Sequence, residues 1–319
     1  MRVLLTGAAG FIGFHLARHL LDVGLEVSGV DSLTGYYATG LKQDRLKLLQ
    51  THRNFSFSGI DLCHRSDVEA LFAASNFDLV LHLAAQPGVR YSVDAPHKYV
   101  ESNLLAFMNV LEACRQHRVK RFVFASSSSV YGNSQDGPFA ESADTDHPES
   151  LYAATKKANE VMAHSYSRQF GLQVIGLRFF SVYGPWGRPD MAYFSFTRKI
   201  LAGESIPVFN QGQMVRDFTY IGDICQGISQ LIKRLPDLPS YRIYNLGNNH
   251  PVKIMDFIAS LESALSCRAQ IDLQPMQTGD VTFTNADISL AQKDFAYAPK
   301  TSLQDGLSHF VDWYHSYYK

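Results

Sequence analysis

The sequence predicts a doubly wound α/β fold, a parallel sheet covered by helices on both faces, with a smaller lobe after it. Three observations carry this. Short β-rich runs alternate with helix-period segments over the first part of the chain. A glycine-spaced turn, "TGAAGFIG", directly follows the first run and opens the first helical segment. After about residue 180 the texture changes to Gly- and Pro-punctuated loops, short helices and isolated strands.

Taken in order, "RVLLTG" (2–7), "EVSGVD" (26–31), "NFSFSGIDL" (54–62), "DLVLHLAA" (78–85) and "RFVFASS" (121–127) read as strands. Segments 11–23, 39–50, 66–74 and 97–117 between them read as helices, and a helix at 150–170 with strand "QVIGLRF" (173–179) extends the pattern. Residues 1–180 form the expected dinucleotide-binding unit. Residues 181–319 form most of a substrate lobe, interleaved with it, in which "IPVF" and "RIYNLG" read as isolated strands. In such sheets ligands gather at the carboxyl ends of the strands, which puts the loops after each strand on the functional edge.

The composition, 46% hydrophobic and 18% charged over 319 residues, is that of a globular chain with ample core. A net charge of −1 excludes a broad nucleic-acid surface, though clustered arginines can still hold a small anion. No apolar run reaches the ~18 residues that a membrane span needs, and "MRVLLTGAAG" enters a strand without a leader pattern. Cys63, Cys114, Cys225 and Cys267 are scattered, with no CxxC pair, which fits reduced cysteines in a cytoplasmic protein. His15 and His19 have an i, i+4 spacing but no acid between them and no third ligand, so no metal is expected.

Gly7, Gly10 and Gly13, with Phe11 and Ile12 between the last two, allow a tight turn and close backbone approach to a pyrophosphate at a helix N-terminus. Asp31 ends the second strand 18 residues after Gly13. A carboxylate there accepts from both ribose hydroxyls and repels a 2′-phosphate, so NAD is the expected cofactor. In "LYAATKKANE", Tyr152 and Lys156 stand at i, i+4 on one helix face, while Lys157 points about 100° away. A nearby ammonium draws a phenol's pKa down toward the working range, which makes Tyr152 a candidate base. Arg90 is a candidate anion binder, and Val208 and Phe209 are candidate walls for a base ring.

The GxxGxxG spacing, followed by a YxxxK pair, resembles the short-chain dehydrogenase/reductase superfamily in its extended form. That resemblance implies a Rossmann-type domain, adenine contacts from Asp61 and Leu62, and cofactor contacts from Leu83, Ala84 and Ala85 in "LAAQ". It also implies a catalytic set of Ser127, Tyr152 and Lys156. Ser127 stands three positions before the Val of "VYG" and 25 residues before Tyr152. Ser128 and Ser129 then line the sugar pocket, and Ser126 belongs to the strand.

Residues 127–129 are all serine. Related 4,6-dehydratases place acids in this window and UDP-glucuronate decarboxylases a Glu, so an acid-free window points to simple epimerisation.

"RFFSVYGPWGRPDM" (178–191), "VRDFTYIGDI" (215–224), "AAQPGVRYS" (84–92) and "MQTGDV" (276–281) are similar to the sugar-nucleotide epimerases and, more narrowly, to the UDP-glucuronate 4-epimerases. The resemblance implies a UDP-sugar substrate. It assigns Arg216 to the diphosphate, Ser181 to the sugar carboxylate and Arg188 to either group. Gln277 takes the place of a phosphate-binding arginine, and Asp280 bonds a ribose hydroxyl.

Relatives pair helices 97–117 and 150–168 in a homodimer, and Leu104, Phe107 and Leu111 recur on one face here; burial against the sheet explains them equally. A 4-epimerase of another UDP-sugar, a UDP-glucuronate decarboxylase and a non-catalytic NAD-binding scaffold remain as alternatives.

Overall fold

The computed structural model describes residues 1–134, 137–277 and 279–319. The first unit runs β1 (Arg2–Thr6), α1 (Phe11–Asp22), β2 (Glu26–Val30), α2 (Thr39–Gln50), β3 (Phe55–Ser58), α3 (Arg65–Ala73) and β4 (Leu79–His82). Two single turns, α4 (Tyr91–Asp94) and α5 (Pro96–Tyr99), a π-helical turn (Val100–Leu105) and α6 (Ala106–Gln116) lead to β5 (Arg121–Ser127). Next come α7 (Leu151–Phe170), β6 (Gln173–Phe179), β7 (Ser181–Tyr183), α8 (Ala192–Leu201), β8 (Ser205–Val208) and β9 (Val215–Tyr220). The chain ends with α9 (Ile221–Arg234), β10 (Tyr241–Leu246), β11 (Pro251–Lys253), α10 (Ile254–Leu265), β12 (Gln270–Leu273), α11 (Ser289–Phe295) and α12 (Leu303–Tyr317).

Seven strands form one sheet in the order β10-β6-β5-β4-β1-β2-β3, and every neighbouring pair is parallel. Alternate side chains enter opposite cores: Val3, Leu5, Leu79, Leu81 and Val123 face one, and Leu4, Val80, Phe122 and Phe124 the other. Both faces are thus covered, which is why these strands read as continuous apolar runs. The order reverses at β1, whose neighbours are β2 and β4, and this opens a crevice at the strands' carboxyl ends.

Three expectations change. "RIYNLG" is not an isolated strand of the lobe: as β10 it adds to β6, and α9 packs with it on the first unit's core. The strand expected over 78–85 stops at His82, and Leu83–Ala85 leave the sheet to line the crevice. The single helix expected over 97–117 is broken by the π-turn, where Asn103 spends its side chain on other segments. Phe107 and Leu111, on the face noted for pairing, are buried in the sheet's core.

The lobe has its own core, built from α8, α10, α12 and the strands β7, β9 and β11. β8 and β12 form a separate parallel pair, and β8 adds Ile206 and Val208 to the same core.

Candidate active site

A single crevice runs from the glycine turn, along Asp31 on one side and Leu83–Ala85 on the other, to Ser127, Tyr152 and Lys156. Gly7, Gly10, Phe11, Ile12, Gly13, Asp61 and Leu62 line it as well. Gly7 has φ +73°, and a Cβ on Gly13 would fall 2.0 Å from the Gly7 carbonyl oxygen, so neither position tolerates a side chain. The first turn of α1 has no side-chain cap and no acid, which leaves its N–H groups for an anion. The Asp31 carboxylate is oriented by the backbone N–H groups of Ala9 (3.1 Å) and Leu33 (2.8 Å). Turn, helix end, carboxylate and apolar walls together fit a dinucleotide.

Helix α7 begins where it does because Ser150 caps it, its Oγ accepting from Ala153 N–H at 3.1 Å, and it ends at Gly171 in the left-handed region. Tyr152 therefore lies in the first turn and Lys156 one turn further, both facing β5. Lys156 is buried and donates to the Ala125 carbonyl at 3.0 Å; burial pushes its pKa down to about 8. Burial raises the Tyr152 phenol, and two neighbours pull it back: a hydrogen bond with Ser127 and the positive charge of Arg188. Lys156 Nζ, the cation expected beside the phenol, is turned to the Ala125 carbonyl of β5. Lys157 points away, to Asp146 at 3.0 Å.

The four serines separate cleanly. Ser126 donates to Glu160 at 2.6 Å, inside a buried pair of that carboxylate with Arg178. Ser127 Oγ accepts from the N–H of Ser129 (3.2 Å) and from its hydroxyl (2.9 Å). Ser128 opens the tight turn 128–131 and stays part-exposed.

Arg188 lines the crevice, its guanidinium paired to Asp190, which also accepts from the Tyr36 hydroxyl at 3.1 Å. Ser181 opens β7 between two crevice-lining residues, Phe180 and Val182.

A second group assembles apart from these. Arg90 donates to Asp280 at 2.9 Å and lies 4.7 Å from the centre of the Phe209 ring. Arg216 stands beside both charges and, among the described residues, donates to the Val215 and Val281 carbonyls; burial lowers its pKa to about 10. Gln277 has a buried side-chain oxygen with no protein partner among the described residues. Thr278, within the same motif, lies outside them. Asp280 accepts from Arg90 through Oδ2, the one of its carboxylate oxygens that pairs with the guanidinium. Val208 is a further correction: its side chain is in the lobe's core, so of the two proposed walls Phe209 alone faces Arg90.

Two residues, one lining the crevice and one behind its wall, escaped the sequence reading. Lys42 reaches into the crevice near Asp31 and donates to the Thr34 carbonyl at 2.9 Å. Asn103 holds the Gln86 backbone at both ends (2.7 and 3.1 Å) and donates to Thr155 Oγ1 at 3.0 Å, tying the cofactor wall to α7. Their only signal is a polar residue on an otherwise apolar helix face, which does not name a partner. Among the described residues no His/Cys/Asp/Glu cluster could hold a metal.

A dinucleotide crevice that ends on Ser127, a half-buried Tyr152 and a buried Lys156, with no acid in the 127–129 window, defines a redox-type site. Residues 3–247 match the NAD dependent epimerase/dehydratase family, and the chain belongs to it. It is 46% identical to UDP-glucuronate 4-epimerase 2 of Arabidopsis thaliana, with 99% of this chain and 76% of that protein covered. It is also 46% identical to Protein CapI of Staphylococcus aureus, with both chains covered in full. UDP-glucuronic acid 4-epimerase from Bacillus cereus, solved in complex with UDP-glucuronic acid and NAD, is similar with a TM-score of 0.93 and 34% identity over 99% of each chain.

Proposed function

We propose that this protein is an NAD-dependent 4-epimerase that interconverts UDP-glucuronate and UDP-galacturonate. The observation that carries the reading is the Ser127–Tyr152–Lys156 group at the crevice's end, beside Arg188 and a serine window without an acid. Bound NAD supplies the chemistry of taking a hydride from C4 and returning it to the opposite face.

The chain's own residues do the rest. Tyr152 as phenolate takes the C4 hydroxyl proton and gives it back. Ser127 hydrogen-bonds the C4 oxygen and Lys156 holds the nicotinamide ribose. Gly7–Gly13 cradle the pyrophosphate, Asp31 the adenosine ribose, and Asp61 and Leu62 the adenine. Arg216 and Arg90 offer the second group of cations for the UDP diphosphate, with Phe209 as a ring face and Gln277 and Asp280 as polar partners. Ser181, Ser128, Ser129 and Arg188 are assigned to the sugar.

The 4-keto intermediate is a β-keto acid, which loses CO2 when its carboxylate bond aligns with the carbonyl. The neutral serines and Arg188 serve to hold that group out of alignment.

Incubation of the purified protein with UDP-glucuronate, followed by NMR of the products, tests the reading. UDP-galacturonate supports it; UDP-xylose, or turnover of a neutral UDP-sugar alone, overturns it.

The product would serve polysaccharide assembly, and we assign the enzyme to the cytoplasm, to which four unpaired cysteines are suited. No helix among the described residues is long and apolar enough to cross a membrane. A homodimer is proposed through α5–α7, where Val100, Leu105 and Val161 are exposed. Val161→Glu should convert it to a monomer in sedimentation, and an unchanged mass would count against this face.

A further inference from the structure

Arg45, in α2, is a fully buried cation that has only neutral partners among the described residues. Its Nη1 donates to the Ala9 carbonyl (2.9 Å) and the Tyr37 hydroxyl (2.7 Å). Its Nη2 donates to the carbonyls of Trp186 (2.5 Å) and Gly187 (3.0 Å). A buried guanidinium without a carboxylate is costly to desolvate, and an aliphatic side chain would fill the space without that cost. What the aliphatic chain could not do is join the two segments that these carbonyls belong to.

One segment is the glycine turn, through Ala9. The other is the turn that ends in Arg188. Its backbone is specified from two further sides. Trp186 sits at φ +56°, a conformation unfavourable for a large side chain, and its ring packs against Phe14 (5.5 Å), Trp313 (5.4 Å) and Tyr317 (5.0 Å). Gly187 is pressed on Tyr193, whose hydroxyl would lie 1.9 Å from a Cβ there. Arg188 follows at once and delivers its guanidinium to the crevice next to Tyr152.

We propose that Arg45 is a positioning residue that clamps the dinucleotide turn to the Arg188 turn, so that the cofactor cradle and the sugar-facing guanidinium keep one fixed separation. This rests on the assignment of Arg188 to the sugar made above. Planar forked donors can bind carbonyls on two sides at once; an ammonium presents its donors from one point. Arg45→Lys should therefore keep the charge and lose the bridge.

The test is a double-mutant cycle on the holoenzyme, read by binding. Arg45→Met should weaken UDP-glucuronate by about tenfold while UDP changes by less than about threefold. Arg188→Ala should weaken UDP-glucuronate alone, and adding Arg45→Met to it should produce no further loss, because the clamp acts through Arg188.

Release of the cofactor, followed without any sugar by the fluorescence of NADH loaded into the holoenzyme in place of NAD, should quicken about tenfold in Arg45→Met and Arg45→Lys. If Arg45→Met does not fold, Arg45→Lys carries both readouts. Losses that multiply with Arg188→Ala, equal loss for UDP and UDP-glucuronate, or NAD release as in the wild type would each overturn the clamp. Failure of the sugar assignment would look different: the wild type itself would bind UDP-glucuronate no better than UDP, while the NAD readout would still decide on Arg45.

Discussion

Arg178 lies along the Glu160 carboxylate in a two-point pair, Nε to Oε1 at 2.9 Å and Nη2 to Oε2 at 2.8 Å, with both side chains buried. Ser126 donates to the same Oε1 at 2.6 Å. The pair joins β6 to α7, the helix that carries Tyr152 and Lys156, and through Ser126 it reaches β5. The tyrosine's distance from the serine strand thus depends on a polar bolt beneath the crevice.

Glu160→Gln leaves the guanidinium buried and uncompensated, and should cost about 3–5 kcal/mol of unfolding free energy. Arg178→Met combined with Glu160→Leu should cost less than either single change. Urea titration followed by circular dichroism checks both. A single change that costs under about 1 kcal/mol would show that the pair is not structural.

Tyr152→Phe should lower kcat by about 10²–10⁴-fold and leave NAD and UDP-glucuronate binding within a few-fold of wild type. Ser127→Ala removes one of the two influences that lower the Tyr152 pKa. The phenolate is the active form, so activity rises with pH through this pKa. In Ser127→Ala the rising limb should move to higher pH, and Arg188→Met should move it the same way. Steady-state rates across pH would check this; limbs unmoved in both variants would remove these residues from tuning the base.

Stability at acid pH should carry the mark of His82. This imidazole is buried against the Thr6 hydroxyl (3.0 Å), and burial, with the Lys156 charge nearby, lowers its pKa from 6.5 to about 3. Between those values the unfolded chain takes up a proton that the folded chain refuses. Folding therefore weakens as pH falls from 6.5 toward 3, by about 1.4 kcal/mol for each unit, and no such slope arises from this group above 6.5. His82→Gln should remove that contribution. Denaturation at pH 7 and pH 5 gives the comparison, and an equal pH dependence in both proteins would contradict it.

The two ends of the site should be separable. Asp31→Ala should weaken NAD by at least about tenfold and leave UDP affinity nearly unchanged. Arg216→Ala should do the reverse, because its guanidinium stands with Arg90 and Asp280, away from the glycine turn. Calorimetry with NAD and with UDP distinguishes them; joint loss of both ligands in either variant would mean that the change is in folding.

Much of this was legible from residues close together in the chain. Gly7, Gly10, Gly13 and Asp31 act within one strand–turn–helix–strand unit, and Tyr152 and Lys156 within one helical turn, so their spacing alone carries their geometry. The alternation of elements likewise contained the parallel sheet, since its strands must be apolar on both faces. Ser127 was distinguishable from Ser126 through the family resemblance, by its place three positions before the Val of "VYG"; the structure then turns the Ser126 hydroxyl to Glu160.

The tertiary structure alone decided the rest. Val208 and Phe209 are neighbours, yet one is in the lobe core and the other faces Arg90; which side a short strand buries depends on what packs there. Asn103 reads as part of a regular helix until its bonds to Gln86 and Thr155 open a π-turn. Arg188, 36 residues beyond Tyr152 in the chain, lowers the phenol's pKa together with Ser127, and no local spacing announces it. Arg45 has partners 36 and 141 residues away. Periodicity encodes contacts made within a few turns of backbone, whereas a buried cation bridging two distant loops exists only once the sheet has brought those loops together.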